Sequence, residues 1–354
     1  MTCSERIKQT KGYVDDLLTW VSGRGKILIV VHDNPDPDCL ASAYALRHLF
    51  IMTVNRQATI AFSGMIGRGE NLAMARELEI PISPLELINL QEYPVICMLD
   101  TQPGTGNNSL PPGNRIDIIV DHHPRRPNGD AGKWVDIREE YGVTATILYE
   151  YLLSQGITIN SNLATALFYA IKSETQDLGR EANLPDREAY LKLFPLANKR
   201  IIFLITHPKL PVEYFMMMNS ALRHTLIYDT LLVSNLYEIS FPEVVAEMAD
   251  FLIRLDGIES SFCMGHYAGS MILSIRTTRS DLGLGNMIRR IVADLGTGGG
   301  HGMTAGGKIV NVPDDKEAIG ELAELLTNRL LAELGKSGVT PHPLLPQENR
   351  LKTD

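Results

Sequence analysis

Over the first 200 residues, short β-branched runs alternate with longer amphipathic stretches, the pattern of a parallel sheet flanked by helices. The predicted strands are KILIVV at 26–31, ATIAF at 58–62, VICMLD at 95–100 and RIDIIV at 115–120. Helical periodicity occupies 38–50, 143–153 and 162–171. Each apolar run ends directly in polar or ionisable residues, and the carboxyl ends of strands are where open α/β sheets place their sites. The two prolines of HPKLPVEYF, 207–215, interrupt the pattern. Beyond them LLVSNLYEIS, GIESSFCMGHY and GSMILSIRTT read as strands, with helices at 242–255, 284–294 and 315–334. The expected fold class is α/β, with a mostly parallel sheet and flanking helices, plus a smaller mixed α/β C-terminal domain. The expected boundaries are a first domain at 1–205, a linker at 206–225, a second domain at 226–335 and a flexible tail at 336–354.

Composition supports two ordinary globular domains: 354 residues at about 150 per domain, 44% hydrophobic and 21% charged. A net charge of −9 argues against broad electrostatic capture of duplex nucleic acid or an anionic membrane, so a long polyanion would need a locally basic groove. Cys3, Cys39, Cys97 and Cys263 are far apart and form no CxxC pair, which suggests neither a zinc knuckle nor a disulfide framework and fits a reducing compartment. The first residues are too charged for a signal-peptide core, and no run approaches the ~18 apolar residues of a membrane span. The expectation is a cytoplasmic protein without membrane contact.

Chemistry concentrates at three strand ends. In VVHDNPDPDCLAS, His32, Asp36 and Asp38 lie within seven positions, and the two prolines delay the helix until Asp38. Asp38 is a natural helix cap, but capping gives no reason for His32 and Asp36, whereas oxygen donors with an imidazole suit Mn²⁺ or Mg²⁺. Asp100 closes VICMLD, where a turn-initiating aspartate is also ordinary. Asp121, His122 and His123 follow RIDIIV. Adjacent residues on extended backbone point to opposite sides, so only one histidine should join a given metal unless the chain turns sharply. Several carboxylates converging without a cation would raise one another's pKa. Two ions about 3.5–4 Å apart would remove that penalty and clamp a phosphoryl group.

These residues resemble the DHH phosphoesterases, which include RecJ-like nucleases, the oligoribonucleases called nano-RNases, cyclic-dinucleotide phosphodiesterases and family II inorganic pyrophosphatases. The likeness rests on HDNPDPDCLAS, MLDTQ, the DHH triplet, YGVTATILYEYL, AIKSETQDLG and, in the second half, TGGGHGMTAGG. It implies that His32 and Asp36 hold one ion, Asp38 and His122 the other, and that Asp100 bridges both. It also implies that His123 contacts the scissile phosphate and that Asp121 orients a neighbouring histidine. Where the family carries an aspartate, this chain has Glu174, with Asp177 three positions on as the other acidic residue. Glu174 is the preferred remaining ligand. In the DHH-associated second domain the resemblance implies a grip on the nucleotide by Arg276, Gly298, Gly299, Gly300 and His301. Consecutive glycines there would let the backbone approach an anion and turn its N–H groups toward it.

The resulting expectation is a phosphoesterase using two Mn²⁺ ions, with Mg²⁺ or Co²⁺ as substitutes. Its substrates and partners would be short oligonucleotides or linear or cyclic dinucleotides, and a homodimer is one option. A pyrophosphatase or exopolyphosphatase is the alternative enzyme, and a catalytically silent nucleotide or metal sensor the alternative of a different class.

Overall fold

In the computed structural model, which describes residues 2–345 apart from 128, 130, 181 and the side chain of His301, the apolar runs do pair as parallel strands. The chain divides into two compact units, Met1–Pro208 and Lys209–Asp354. The first unit runs α1 (Cys3–Val21), β1 (Ile27–Val31), α2 (Pro37–Val54), β2 (Ala58–Phe62), α3 (Gly69–Glu77), β3 (Ile82–Pro84), β4 (Val95–Leu99), β5 (Ile118–Asp121), β6 (Trp134–Ile137), α4 (Thr144–Ser154), α5 (Ser161–Glu174), α6 (Leu184–Leu193) and α7 (Lys199–Thr206). Its sheet has the order β3-β2-β1-β4-β5-β6, and every pairing is parallel. The order reverses between β1 and β4, and in doubly wound sheets the crevice at such a reversal is where ligands sit.

Both faces of β1 are buried, which is why its run is apolar at every position. Ile27, Ile29 and Val31 pack into the large core beneath the helices, with Leu40, Leu46, Leu148 and Leu167. Leu28 and Val30 pack on the opposite face with Leu85 and Ile96, under a connection that carries Ile88, Leu90 and Tyr93. The second face of the central strand is thus covered partly by an irregular segment rather than by helices alone.

The second unit runs α8 (Val212–Arg223), β7 (Thr225–Tyr228), β8 (Leu231–Glu238), α9 (Val244–Leu252), β9 (Ser260–Tyr267), β10 (Ser270–Thr277), α10 (Leu284–Ile291), β11 (Thr297–His301), β12 (Thr304–Val310), α11 (Lys316–Glu333) and β13 (His342–Pro343). Its mixed sheet has the order β11-β12-β10-β9-β8-β7-β13, with β8 and β9 parallel. Residues from α10 and α11 cover one face, and residues from α8 and α9 the other.

Two expectations change. The segment expected to be a linker contains α8, anchored by the buried Met217 and Ala221. The tail expected to fray from 336 returns to the sheet, where His342 and Pro343 pair with Ile227 and Leu226; residues 346–354 of that expected tail lie outside the described part. Backbone pairing with an edge strand needs no hydrophobic periodicity, so the tail's polar composition concealed it.

Candidate metal centre

Register brings the three strand ends together. Val31 pairs with Leu99 and Leu99 with Val120, so the next residues, His32, Asp100 and Asp121, stand side by side at the carboxyl edge of the sheet, Asp121 still paired with Ile137 of β6. The N–H of Asp100 donates to the Val120 carbonyl at 3.0 Å, and its φ of +57° turns it off the strand line into the left-handed region, which aspartate tolerates better than most residues. Asp100 is 2% exposed.

The helix after β1 starts one residue earlier than expected. Asp36, not Asp38, is the cap: its Oδ1 accepts from the Cys39 N–H at 3.0 Å, and Pro37 takes the first helical position, where a missing N–H costs nothing. Asp38 is thereby released for other partners. Its Oδ2 accepts the Thr144 N–H at 2.8 Å and its Oδ1 the Ala145 N–H at 2.7 Å, so the positive end of α4 faces this carboxylate.

The histidine pair answers the question of direction. Asp121 Oδ1 accepts the N–H groups of His122 at 2.8 Å and His123 at 3.2 Å, which bends the chain as β5 ends. Both rings then lie on the same side, 4.3 Å apart between centroids. The expected opposition of adjacent side chains does not hold here, because the backbone is no longer extended.

His32 Nε2 lies 3.4 Å from Asp36 Oδ2 and 3.6 Å from Asp100 Oδ2, while His122 Nε2 lies 3.8 Å from Asp38 Oδ2 and 3.6 Å from Asp100 Oδ1. Asp100 therefore presents one oxygen to each histidine. On the far side of each ring, Nδ1 meets a backbone carbonyl, Asp33 O at 2.9 Å and Tyr141 O at 3.2 Å. A carbonyl only accepts, so Nδ1 carries the proton and Nε2 offers a lone pair to the carboxylates. Lone pairs facing carboxylates at 3.4–3.8 Å repel unless a cation lies among them. A nitrogen and oxygen donor set with outer nitrogens fixed by carbonyls suits Mn²⁺ or Mg²⁺.

Without a cation, protons relieve the same repulsion, and the His32 Nε2 lone pair becomes free only where an ion replaces its proton. Burial, then Asp100, Asp36 and Glu174, pushes the Asp38 carboxyl well above the ordinary range. Burial followed by Asp36 and Asp100 pushes Glu174 up to about 7. Burial disfavours a charged His32, but Cys39 and Asp36 outweigh it and leave the ring well above its usual value. Asp36 moves the other way: burial resists, and the His32 charge holds it below the usual carboxylate range.

Glu174 closes α5 and shares this field, whereas Asp177 is engaged elsewhere, with Lys172 at 2.5 Å and the Tyr190 hydroxyl at 3.1 Å. His123 Nδ1 bonds Asp121 Oδ1 at 2.9 Å, and its other carboxylate oxygen takes a 2.7 Å bond from the Gln102 amide. Burial resists a charged His123, yet the Asp121 bond and the Asp100 charge raise it to about 9.

Two residues of this arrangement carried no assigned role in the sequence reading. Thr144 donates its hydroxyl to Asp100 Oδ1 at 2.8 Å, and Gln102 supports Asp121. The signal was present, since MLDTQ and YGVTAT both lie within matched segments, but only folding shows which atoms they touch.

In the second unit, Arg276 on β10 is held by Asp250 at 2.5 Å and Ser274 at 2.8 Å. Gly298, Gly299 and Gly300 form no anion nest. They lie in the edge strand β11 opposite Gly307, Gly306 and Ala305, and none has a positive φ. Packing requires one of them: a Cβ on Gly300 would stand 2.4 Å from Thr304 O, whereas one on Gly298 would press on the Ile288 side chain at 3.1 Å. The face of Gly299 is open, with Arg289 Nη2 nearest at 3.8 Å. The backbone of His301 ends β11, and its side chain lies outside the described part.

Residues 26–171 match the DHH family, N-terminal domain. The first unit is a DHH-family domain. An uncharacterized protein of Methanocaldococcus jannaschii is 35% identical over 85% of this chain, which spans 62% of that relative's length. A probable manganese-dependent inorganic pyrophosphatase of Staphylococcus haemolyticus is 30% identical over 151 residues, 42% of this chain and 48% of that protein. A crystal structure of an exopolyphosphatase-related protein from Bacteroides fragilis superposes with a TM-score of 0.72 at 15% identity, over 92% of this chain and 98% of that one, and so shares its fold. No helix among the described residues is long and apolar enough to cross a membrane.

Proposed function

We propose that this DHH protein is a metal-dependent phosphoesterase that hydrolyses phosphodiester bonds in short oligonucleotides or in linear or cyclic dinucleotides. The observation that carries the reading is Asp100, which offers one carboxylate oxygen to each of two histidines whose outer nitrogens are fixed by carbonyls. His32 and Asp36 are assigned to one ion, Asp38 and His122 to the other, with Asp100 shared and Glu174 at the edge. Mn²⁺ is the assigned metal, with Mg²⁺ or Co²⁺ able to replace it. When bound, divalent ions held by these residues would polarise phosphoryl oxygens and lower the pKa of a bound water.

The protein's own groups supply the rest. Thr144 and the first N–H groups of α4 hold Asp100 and Asp38 in place. His123, kept cationic by Asp121, neutralises charge as it builds on the phosphoryl oxygens. Recognition of the nucleotide is assigned to the second unit, through Arg276 and the open face of Gly299, with His301 as a further candidate.

A second reading, hydrolysis of phosphoanhydrides, draws on the likeness of the first unit to the staphylococcal pyrophosphatase. A single panel separates the two: a linear dinucleotide, a short RNA, a cyclic dinucleotide, adenosine 3′,5′-bisphosphate and pyrophosphate, each with Mn²⁺ and with chelator. Chelator-sensitive cleavage of a phosphodiester is the expected result. Turnover of pyrophosphate alone establishes the second reading, and turnover of nothing while Mn²⁺ binds removes both.

A further inference from the structure

The first turn of α2 brings a third kind of donor to the His32 end of the centre. Cys39 is fully buried, and its sulfur, a nitrogen of His32 and a carboxylate oxygen of Asp36 lie within 4.8 Å of one another. The capping bond from the Cys39 N–H to Asp36 Oδ1 fixes this geometry, because it ties the backbone that carries the thiol to the carboxylate. The thiol itself donates only weakly, to the Asp36 carbonyl at 3.4 Å. The other cysteines are placed differently: Cys97 is inside the core on β4, Cys263 lies on β9 of the second unit, and Cys3 is exposed at the start of α1.

We propose that Cys39 Sγ is a further ligand of the ion held by His32 and Asp36, so that this position accepts Mn²⁺ but prefers a thiophilic divalent ion such as Zn²⁺ or Co²⁺ when one is offered beside it. As the sulfur–metal bond forms, the S–H bond breaks and its proton passes to solvent. Asp38, His122 and Asp100 offer only oxygen and nitrogen, so the other position keeps its preference for a hard ion. The two halves of the centre are therefore chemically unequal, and a thiophilic ion fills the Cys39 half first.

This assignment rests on the metal reading above, and Co²⁺ separates the failure of one from the failure of the other. The protein is titrated with Co²⁺ while bound metal is counted by equilibrium dialysis and the near-ultraviolet and visible spectra are recorded. The expected result is a sulfur-to-cobalt charge-transfer band that grows with the first equivalent, disappears in Cys39→Ser and survives in Cys263→Ser. Zn²⁺ added afterwards should bleach that band before it displaces the second ion. Bound Co²⁺ with visible bands but no near-ultraviolet band in the unmodified protein overturns the role of Cys39 and leaves the metal centre standing, whether or not the variant folds. A band that persists in Cys39→Ser overturns it equally. No bound Co²⁺ or Mn²⁺ overturns the metal centre itself.

Discussion

Thr144 holds Asp100 by a 2.8 Å hydrogen bond from the first residue of the helix whose opening N–H groups close on Asp38. One turn of backbone thus positions Asp100 and Asp38 together. Asp186, buried among Gly142, Asn183 and Thr146, fixes the loop that leads into this turn, with a 2.7 Å bond from the Thr146 hydroxyl and a 2.9 Å bond from the Gly142 N–H.

Thr144→Val keeps the shape and removes the hydroxyl. Groups that orient metal ligands typically account for 10–100-fold in affinity, so Mn²⁺ affinity by calorimetry is expected to fall by about that factor. Thr144→Ser should remain close to the unmodified protein. Equal affinities in all three proteins would remove Thr144 from the centre.

Gln102→Leu takes one bond from Asp121 while leaving the ligands untouched. The expected outcome is a kcat lowered by roughly tenfold, with Mn²⁺ affinity unchanged, because Asp121 acts on His123 rather than on the ions. Steady-state kinetics beside a metal titration reads both quantities.

The metal-free protein should lose stability as pH rises from about 5 to 9. Glu174, raised to about 7, binds its proton more tightly folded than unfolded, so its contribution is complete below the ordinary carboxylate range and gone above 7. His123, raised to about 9, has the same sign, with a loss that begins near its ordinary value and ends near 9. Asp36 and Asp121 are lowered and act only at more acidic pH. Asp38 and His32, both raised well above their ordinary values, add to the decline with the same sign. Melting curves with chelator should show the decline, and Mn²⁺ should flatten it. Glu174→Gln should make the metal-free protein more stable at pH 8 and weaken Mn²⁺ binding, an opposition of signs that a purely structural residue would not produce.

Gly300→Ala and Gly299→Ala test what the glycine strand does. The first forces a Cβ against Thr304 O and should cost about 1–3 kcal/mol or more in thermal unfolding. The second meets nothing closer than Arg289 Nη2 at 3.8 Å and should leave stability unchanged while raising KM for the nucleotide. An unchanged KM would take Gly299 out of recognition.

The apolar runs at 27–31, 58–62 and 95–99 were legible as strands because each is buried through most of its length, and burial dictates composition directly. The short β3 and β6 and the tail strand β13 were not, since a few residues at a sheet margin carry too little periodicity. The candidate ligand residues stood out because carboxylates and histidines at strand ends have no packing role to explain them.

The amino-acid sequence alone therefore determined which residue types stand at the ends of β1, β4 and β5, and that the chain is built as α/β. Only the tertiary structure decided that Asp36 caps the helix and frees Asp38, that both histidines turn to one side, and that Thr144 reaches Asp100 across 44 positions. The reason is physical. Composition follows from burial, a local average, whereas direction and contact follow from strand register and single hydrogen bonds, which exist only once distant segments have met.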